Sequence, residues 1–217
     1  MITSFEALNN LFAEIDSKLT GKVNIYTIGG AALLFSKLKS FTKDIDLIVK
    51  SKGEYDFFIS ALVELGFKDT AVTEGAYMLN ISSTKERGDA RIDLFLDKVC
   101  GKMHLSDNMA SRAKAIFTGK NLGVHICANE DVFLFKTITL REGDSQDCEE
   151  LIKRGLDWKV VFEEMQAQIK QGDQKWITHI GERLEELEDK GFSIPILKEV
   201  QKETIKYYEL LDEATKK

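Results

Sequence analysis

The sequence lacks long apolar segments, and it has no pattern typical of an export signal. No run of about 18 apolar residues occurs, so we expect no transmembrane helix. The first residues show no basic stretch followed by an apolar one, and we therefore expect no secretory signal. Both absences favour a cytoplasmic protein without a membrane partner.

Cysteine and histidine are scarce. Cys100, Cys127 and Cys148 are far apart and form no Cys-x-x-Cys motif. This spacing argues against a disulfide framework or a zinc ribbon, and it agrees with a reducing compartment. The three histidines are also scattered, and none stands at a metal-ligand spacing from another histidine or from a cysteine.

The chain also has no excess of basic residues. Its 30 Lys and Arg residues stand against 36 Asp and Glu residues, for a net charge of −6. An acidic chain is a poor candidate for coating nucleic acid non-specifically, although this balance leaves room for a local basic site. Hydrophobic residues make up 43% of the chain, which is enough for a substantial core.

The pattern of apolar residues divides the chain into two parts. Up to about residue 128, helical and strand patterns alternate, and after Asn129 the pattern is almost entirely helical. We therefore predict an α/β domain over residues 1–128 and a helical domain over 129–217. In the first domain we predict helices at 5–19, 31–38 and 54–65, and strands at 23–28, 45–49, 76–82, 90–96 and 122–127. The strands at 76–82 and 90–96 are predicted to form a hairpin.

The most informative segment combines a glycine pair with two aspartates. Gly29 and Gly30 lie between a predicted strand and a predicted helix, where exposed backbone N–H groups favour a phosphate. Asp44 and Asp46 open the next strand, and residues two apart in a strand point to the same face. Neighbouring carboxylates repel each other, and a divalent cation relieves that repulsion. Oxygen ligands of this kind favour Mg²⁺, which also binds phosphate oxygens.

Asp93 is the third candidate ligand. It lies inside an otherwise apolar strand, where an unpaired buried carboxylate would be costly. A position beside Asp44 and Asp46 would explain its presence. Asp97, near the end of the same strand, is a weaker candidate. The alternative is that these aspartates are only turn or helix-capping residues.

The glycine pair, the Asp-x-Asp motif and the third aspartate together resemble the polymerase-β nucleotidyltransferase superfamily. The chain is most similar to its minimal members, which include the abortive-infection type toxins of bacterial and archaeal toxin–antitoxin systems. That group often has Arg-x-Thr-x-Asp-x-Asp before the strand. Thr42, Asp44 and Asp46 match this pattern, whereas Ser40 stands at the arginine position.

The resemblance implies a fold and a set of site residues. The fold would be a mixed β-sheet flanked by helices, followed by an all-helical domain that completes the active-site cleft. Asp44, Asp46 and Asp93 would be the catalytic residues and the metal ligands. The implied nucleotide-binding residues are Gly29, Gly30, Thr42, Lys43, Lys136 and Asp147.

Two of these residues come from the helical part of the chain. Lys136 matches a lysine that the family often carries in the first helix after the sheet. Asp147 ends a segment that matches the family's Arg-x-x-Asp-x-x-Asp turn, which begins here at Arg141. Each residue also has a simpler interpretation. Lys136 could extend its ammonium group to the surface, and Asp147 could be a carboxylate favoured by the helix dipole.

The implied reaction is the Mg²⁺-dependent transfer of a nucleoside monophosphate from a nucleoside triphosphate, such as ATP, to an acceptor hydroxyl. The resemblance implies a two-metal site in which Mn²⁺ can substitute, and it implies release of pyrophosphate. The implied acceptor is an RNA 3′ end such as that of tRNA, or a protein, and relatives of this kind also modify small molecules such as aminoglycosides. A toxin role would add a cognate antitoxin as partner. A catalytically silent nucleotide-binding or protein-interaction module on the same fold is the alternative, and a purely structural α/β domain is a third interpretation.

Overall fold

The structure is a computed structural model that describes residues 5–35, 44–70, 79–139, 141–171 and 174–216. The chain divides into two compact units, Met1–Ala128 and Asn129–Lys217. None of the helices in the described part of the chain combines the length and the apolar character needed to cross a lipid bilayer.

The first unit alternates helices and strands. Its described helices are α1 (Phe5–Lys18), α2 (Gly29–Phe35), α3 (Lys52–Glu64) and α4 (Asp107–Arg112). Its described strands are β1 (Val23–Thr27), β2 (Asp44–Val49), β3 (Lys68–Asp69), β4 (Ser83–Arg87), β5 (Ala90–Leu96), β6 (Lys98–Val99), β7 (Met103–His104), β8 (Lys114–Thr118) and β9 (Leu122–Ile126).

Seven of these strands form one sheet in the order β3-β4-β5-β2-β1-β9-β8, and β6 pairs with β7. β2 runs parallel to β5, and β1 runs parallel to β9. The pairs β1–β2, β3–β4, β4–β5 and β8–β9 are antiparallel. The sheet is therefore mixed, and the predicted α/β fold class is confirmed.

The alternation of side chains along the central strands defines the core. Ile45 and Leu47 of β2 and Ile92 and Leu94 of β5 are fully buried. They belong to one hydrophobic cluster that also includes residues of α1, α3, β1 and β9. Because side chains alternate between the two faces of a strand, the residues between these positions point away from that core. Asp44, Asp46 and Asp93 occupy such positions.

One predicted strand is wrong. The hairpin partner of β5 is Ser83–Arg87, and not the segment 76–82. Residues 79–82 lie outside any strand, and residues 76–78 lie outside the described residues. The tight turn at Gly88 and Asp89, with Gly88 at φ +59°, sets this register. The strand Ser83–Arg87 is polar, and its pairing with β3 and β5 holds it in the sheet. Its own composition does not reveal this pairing.

The second unit is helical in its described part, as the sequence predicts, and its first helix begins at Asn129. The helix α2 of the first unit begins at Gly29, two residues before the predicted start, and residues 36–38 of that prediction lie outside the described residues. The helices of the second unit are α5 (Asn129–Thr137), α6 (Glu142–Arg154), α7 (Trp158–Ile169), α8 (Trp176–Asp189) and α9 (Leu197–Thr215).

Candidate active site

The three predicted catalytic aspartates lie on two neighbouring strands. In the parallel pairing of β2 with β5, Asp46 lies opposite Asp93, and Asp44 lies opposite Arg91. Asp44 and Asp46 are two residues apart, and the fully buried Ile45 between them points the other way. The register therefore brings Asp44, Asp46 and Asp93 onto one face of the central sheet, away from the core.

Arg91 lies among these carboxylates. Its Nε is 3.3 Å from Asp44 Oδ1 and 3.3 Å from Asp93 Oδ1, and its Nη2 is 3.4 Å from Asp93 Oδ2. Its Nη1 is 3.6 Å from Glu86 Oε1. Burial alone would lower the pKa of Arg91. The hydrogen bond to Asp93 and the electrostatic attraction of Asp93, Asp44 and Glu86 outweigh burial and raise this pKa above its usual value. The guanidinium thus neutralises Asp93, which is only 4% exposed.

Sequence reasoning did not single out Arg91, although a signal was present. Arg91 stands two residues before Asp93 on the same strand, so both side chains point to the same face. An arginine at that spacing from a carboxylate in an apolar strand predicts an ion pair. The partner strand that supplies Asp44 depends on the sheet order, which the spacing alone does not give.

The glycine pair holds one of the aspartates in place. Gly29 has a φ of +38°, and a Cβ at this position would lie 1.8 Å from Asp46 Oδ2. A side chain at residue 29 is therefore incompatible with the position of the Asp46 carboxylate. The backbone N–H of Gly30 donates to the same oxygen at 3.3 Å, and the N–H of Ile28 donates to the Asp46 carbonyl at 3.0 Å. The glycine pair therefore contacts a carboxylate of the chain itself, at the place where the sequence favours a phosphate.

The chemistry of this donor set fits a hard divalent cation. Asp44, Asp46 and Asp93 offer only oxygen ligands, and Asp44 Oδ1 and Asp93 Oδ1 approach the same cationic nitrogen of Arg91. Within the described residues, no group of three or more Asp, Glu, His or Cys side chains already surrounds a common point as a metal site would. In this arrangement the positive charge between the carboxylates is a guanidinium.

Two other predicted residues of the first unit, Thr42 and Lys43, lie outside the described residues. The weaker candidate Asp97 follows β5 and is not part of the cluster. It lies four residues beyond Asp93, which is about 13 Å along an extended strand. Its Oδ2 is 2.8 Å from Nδ1 of His104, and its backbone has a φ of +63°.

In the second unit, Lys136 and Asp147 lie side by side. Lys136 Nζ is 2.5 Å from Asp144 Oδ1 and 3.0 Å from Asp147 Oδ2, and all three side chains are buried. Lys136 therefore does not extend its ammonium group to the surface. The role of Lys136 and Asp147 in nucleotide binding stays a prediction.

Asp144 has several partners in this buried network. Its carboxylate accepts hydrogen bonds from Arg141 Nε at 2.6 Å, from Arg141 Nη2 at 3.1 Å and from Thr139 Oγ1 at 2.5 Å. Burial raises the pKa of Asp144, but Lys136 and Arg141 more than offset this effect, and the pKa falls to about 2. Arg183 Nη2 donates to the carbonyl oxygens of Thr139 and Arg141. The family resemblance assigns a role to Asp147. The spacing Arg141-x-x-Asp144 is the feature of the sequence that indicates Asp144.

Comparison with known proteins places the chain in a family. None of the curated proteins matches the sequence significantly. Among solved structures, the crystal structure of ANT(2")-Ia in complex with adenylyl-2"-tobramycin aligns with 77% of this chain and 97% of its own. The TM-score is 0.48 and the sequence identity is 12%, a likeness too distant to support an inference about substrate. The family model described as nucleotidyltransferase of unknown function (DUF6036) matches residues 6–180, and the chain belongs to this nucleotidyltransferase family.

Proposed function

We propose that this nucleotidyltransferase uses Asp44, Asp46 and Asp93 to transfer a nucleoside monophosphate from a nucleoside triphosphate to an acceptor hydroxyl, with Mg²⁺ as cofactor. The observation that carries the proposal is the register of β2 against β5, in which Asp46 faces Asp93 and Asp44 lies on the same face. Membership of a nucleotidyltransferase family supports the class of reaction.

The residues have distinct parts in this reaction. Bound Mg²⁺, as two ions for which Mn²⁺ can substitute, would neutralise the triphosphate and favour ionisation of the attacking hydroxyl. Asp44, Asp46 and Asp93 would hold the cations, and the backbone of Gly29 and Gly30 would keep the Asp46 carboxylate in place. Asp93 would accept the proton of the acceptor hydroxyl as its oxygen attacks the α-phosphate and pyrophosphate leaves.

The remaining parts of the proposal rest on the family resemblance. Thr42, Lys43, Lys136 and Asp147 are proposed to bind the nucleotide, with ATP as one substrate. The proposed acceptor is an RNA 3′ end, such as that of tRNA, and a protein hydroxyl is the second choice. In a toxin–antitoxin system the activity would be held in check by a cognate antitoxin.

The position of Arg91 favours a second candidate function, a catalytically silent nucleotide-binding or protein-interaction module. Its guanidinium lies 3.3 Å from both Asp44 and Asp93 and neutralises them without a metal ion. Carboxylates retained only to stabilise the sheet through an arginine would have this geometry. The two functions differ in whether the wild-type protein transfers a nucleotide at all.

A labelling experiment separates the two functions. Purified protein is incubated with each α-labelled nucleoside triphosphate, with Mg²⁺ or EDTA, and with total cellular RNA or total cellular protein. Asp44→Asn/Asp46→Asn is the test variant. Asp189→Asn/Asp212→Asn, which removes the same charge from exposed positions of the second unit, is the matched control.

The proposal expects label on RNA, or on protein, with the wild type and the control variant in Mg²⁺. It expects none with the Asp44→Asn/Asp46→Asn variant or in EDTA. Absence of label on every acceptor, together with no thermal shift from nucleotide and Mg²⁺, would refute the enzymatic proposal and support a catalytically silent protein-interaction module.

A further inference from the structure

The last helix, α9, carries an apolar face that is exposed over half of its length. Leu197 and Val200, in its N-terminal half, are buried against the rest of the second unit. Further along, Ile205, Tyr208 and Leu211 are 57%, 53% and 42% exposed. Residues three apart lie on the same side of a helix, so these side chains form one row. A contiguous exposed apolar row of this kind is typical of an interaction surface.

A groove between α8 and α9 adjoins this row. It has a volume of about 410 Å³, and its lining includes Thr178, Gly181, Ile205 and Tyr208. Gly181 allows the close approach of the two helices, because a Cβ there would lie only 3.3 Å from Thr204 Oγ1. The groove is large enough to receive an apolar side chain from a partner.

The charges beside the apolar row change sign along the helix. Lys198 and Lys202 precede Ile205, whereas Glu209 and Glu213 follow it, and all four side chains are exposed. The spacings of four, seven and four residues correspond to whole helical turns, so the four lie on one flank of α9. None of them forms an ion pair with another residue in the described part of the chain.

The reversal of charge along α9 makes its exposed face complementary to a second, antiparallel copy of itself. We propose that two copies of this chain associate through the exposed face of α9, with the two helices antiparallel and Ile205 near the twofold axis. Lys198 then lies opposite the partner's Glu213, and Lys202 lies opposite the partner's Glu209. Each contact occurs twice, as in any interface between identical surfaces. A parallel arrangement would instead place lysine opposite lysine and glutamate opposite glutamate, which is unfavourable.

This association is independent of the proposed transfer reaction. The family match ends at residue 180, and α9 lies entirely beyond it. The proposed active-site aspartates belong to the first unit, whereas the dimerisation surface belongs to the second. A test of self-association is therefore independent of whether the protein transfers nucleotides.

Sedimentation equilibrium of the full-length chain over the micromolar range tests the proposal. Lys202→Glu and Glu209→Lys each convert two attractive contacts of the dimer into repulsive ones, and each should weaken dimerisation about tenfold. The double variant Lys202→Glu/Glu209→Lys restores opposite charges across the axis and should return the dimerisation constant to near the wild-type value. Glu142→Lys, which changes an exposed glutamate of α6 and not of α9, is the matched control and should have no effect.

A further variant tests the apolar contact at the axis. Ile205→Glu brings two carboxylates together there and should abolish the dimer, while circular dichroism shows that the helical content is retained. A wild-type protein that is monomeric at every concentration would overturn the proposal. A wild-type dimer whose dimerisation constant does not change in the single charge reversals would also overturn the proposal. So would a double variant that dimerises as weakly as the single variants.

Discussion

Replacing Arg91 with methionine removes the charge that lies between two of the proposed metal ligands. Methionine keeps much of the length and the apolar part of the side chain, so the main loss is the guanidinium. The Nε of Arg91 lies 3.3 Å from the carboxylates of Asp44 and Asp93, and the Asp93 side chain is only 6% exposed. Without Arg91, a buried carboxylate loses its cationic partner and faces its neighbours directly.

The expected loss can be bounded from the burial of these groups. Breaking a fully buried ion pair costs about 3–5 kcal/mol, whereas an exposed pair contributes about 0–1 kcal/mol. Asp93 belongs to the first class, but Arg91 is 26% and Asp44 is 40% exposed. We therefore expect Arg91→Met to lower the free energy of unfolding by about 2 kcal/mol in the absence of divalent cations.

Urea unfolding in EDTA, followed by circular dichroism, measures this loss. Arg154→Met is the matched control, because it removes an arginine from an exposed position at the end of α6. It should cost about 1 kcal/mol or less. Adding Mg²⁺ should restore much of the stability of Arg91→Met, since a bound cation replaces the lost charge and ligand binding stabilises the folded state.

The reasoning would be refuted if Arg91→Met were as stable as the wild type in EDTA. A loss that Mg²⁺ does not reverse would show that Arg91 has only a structural role. The same measurement in the Asp44→Asn/Asp46→Asn background should show no effect of Mg²⁺.

Three further predictions concern the glycine pair and the buried network of the second unit. Because the pKa of Asp144 is lowered to about 2, its stabilising contribution is present above pH 4 and is lost as the pH falls through 2. Urea unfolding over that range should show a loss of about 2 kcal/mol, absent in Asp144→Asn. Lys136→Met leaves buried carboxylates without their cation and should cost about 3–5 kcal/mol by the same assay, and a loss below 1 kcal/mol would contradict the buried pairing. Gly29→Ala should displace Asp46 and abolish any transfer activity, whereas Gly143→Ala, whose added Cβ would meet no atom within 4 Å, should leave activity unchanged.

The sequence indicates the fold class and the three aspartates because each has a local signature. Asp44 and Asp46 alternate with buried apolar residues, and Asp93 interrupts an apolar strand. These patterns depend on the strand period, which is a local property. The pairing of Asp46 with Asp93 follows from the parallel register of β2 and β5, and that register is set by the whole sheet.

The features that the sequence did not reveal depend on contacts between distant segments. The strand Ser83–Arg87 contains no large apolar residue, so its pairing with β3 and β5 has no local signal. Arg91 acquires its significance from Asp44, which lies 47 positions earlier in the chain. The spacing Arg141-x-x-Asp144 is visible in the sequence, but the ion pair of Asp144 with Lys136 of the preceding helix depends on how the two helices pack.

The central claim is that Asp93 acts with Asp44 and Asp46 in one metal-dependent transfer site. The most direct test is the rate of label transfer from the α-phosphate by Asp93→Asn, compared with the wild type and with Asp97→Asn. Asparagine tolerates the positive φ of residue 97, so the control changes an aspartate at the end of the same strand without backbone strain. We expect Asp93→Asn to lose at least about 100-fold in rate and Asp97→Asn to retain the wild-type rate. Full activity in a folded Asp93→Asn protein would contradict the proposed site.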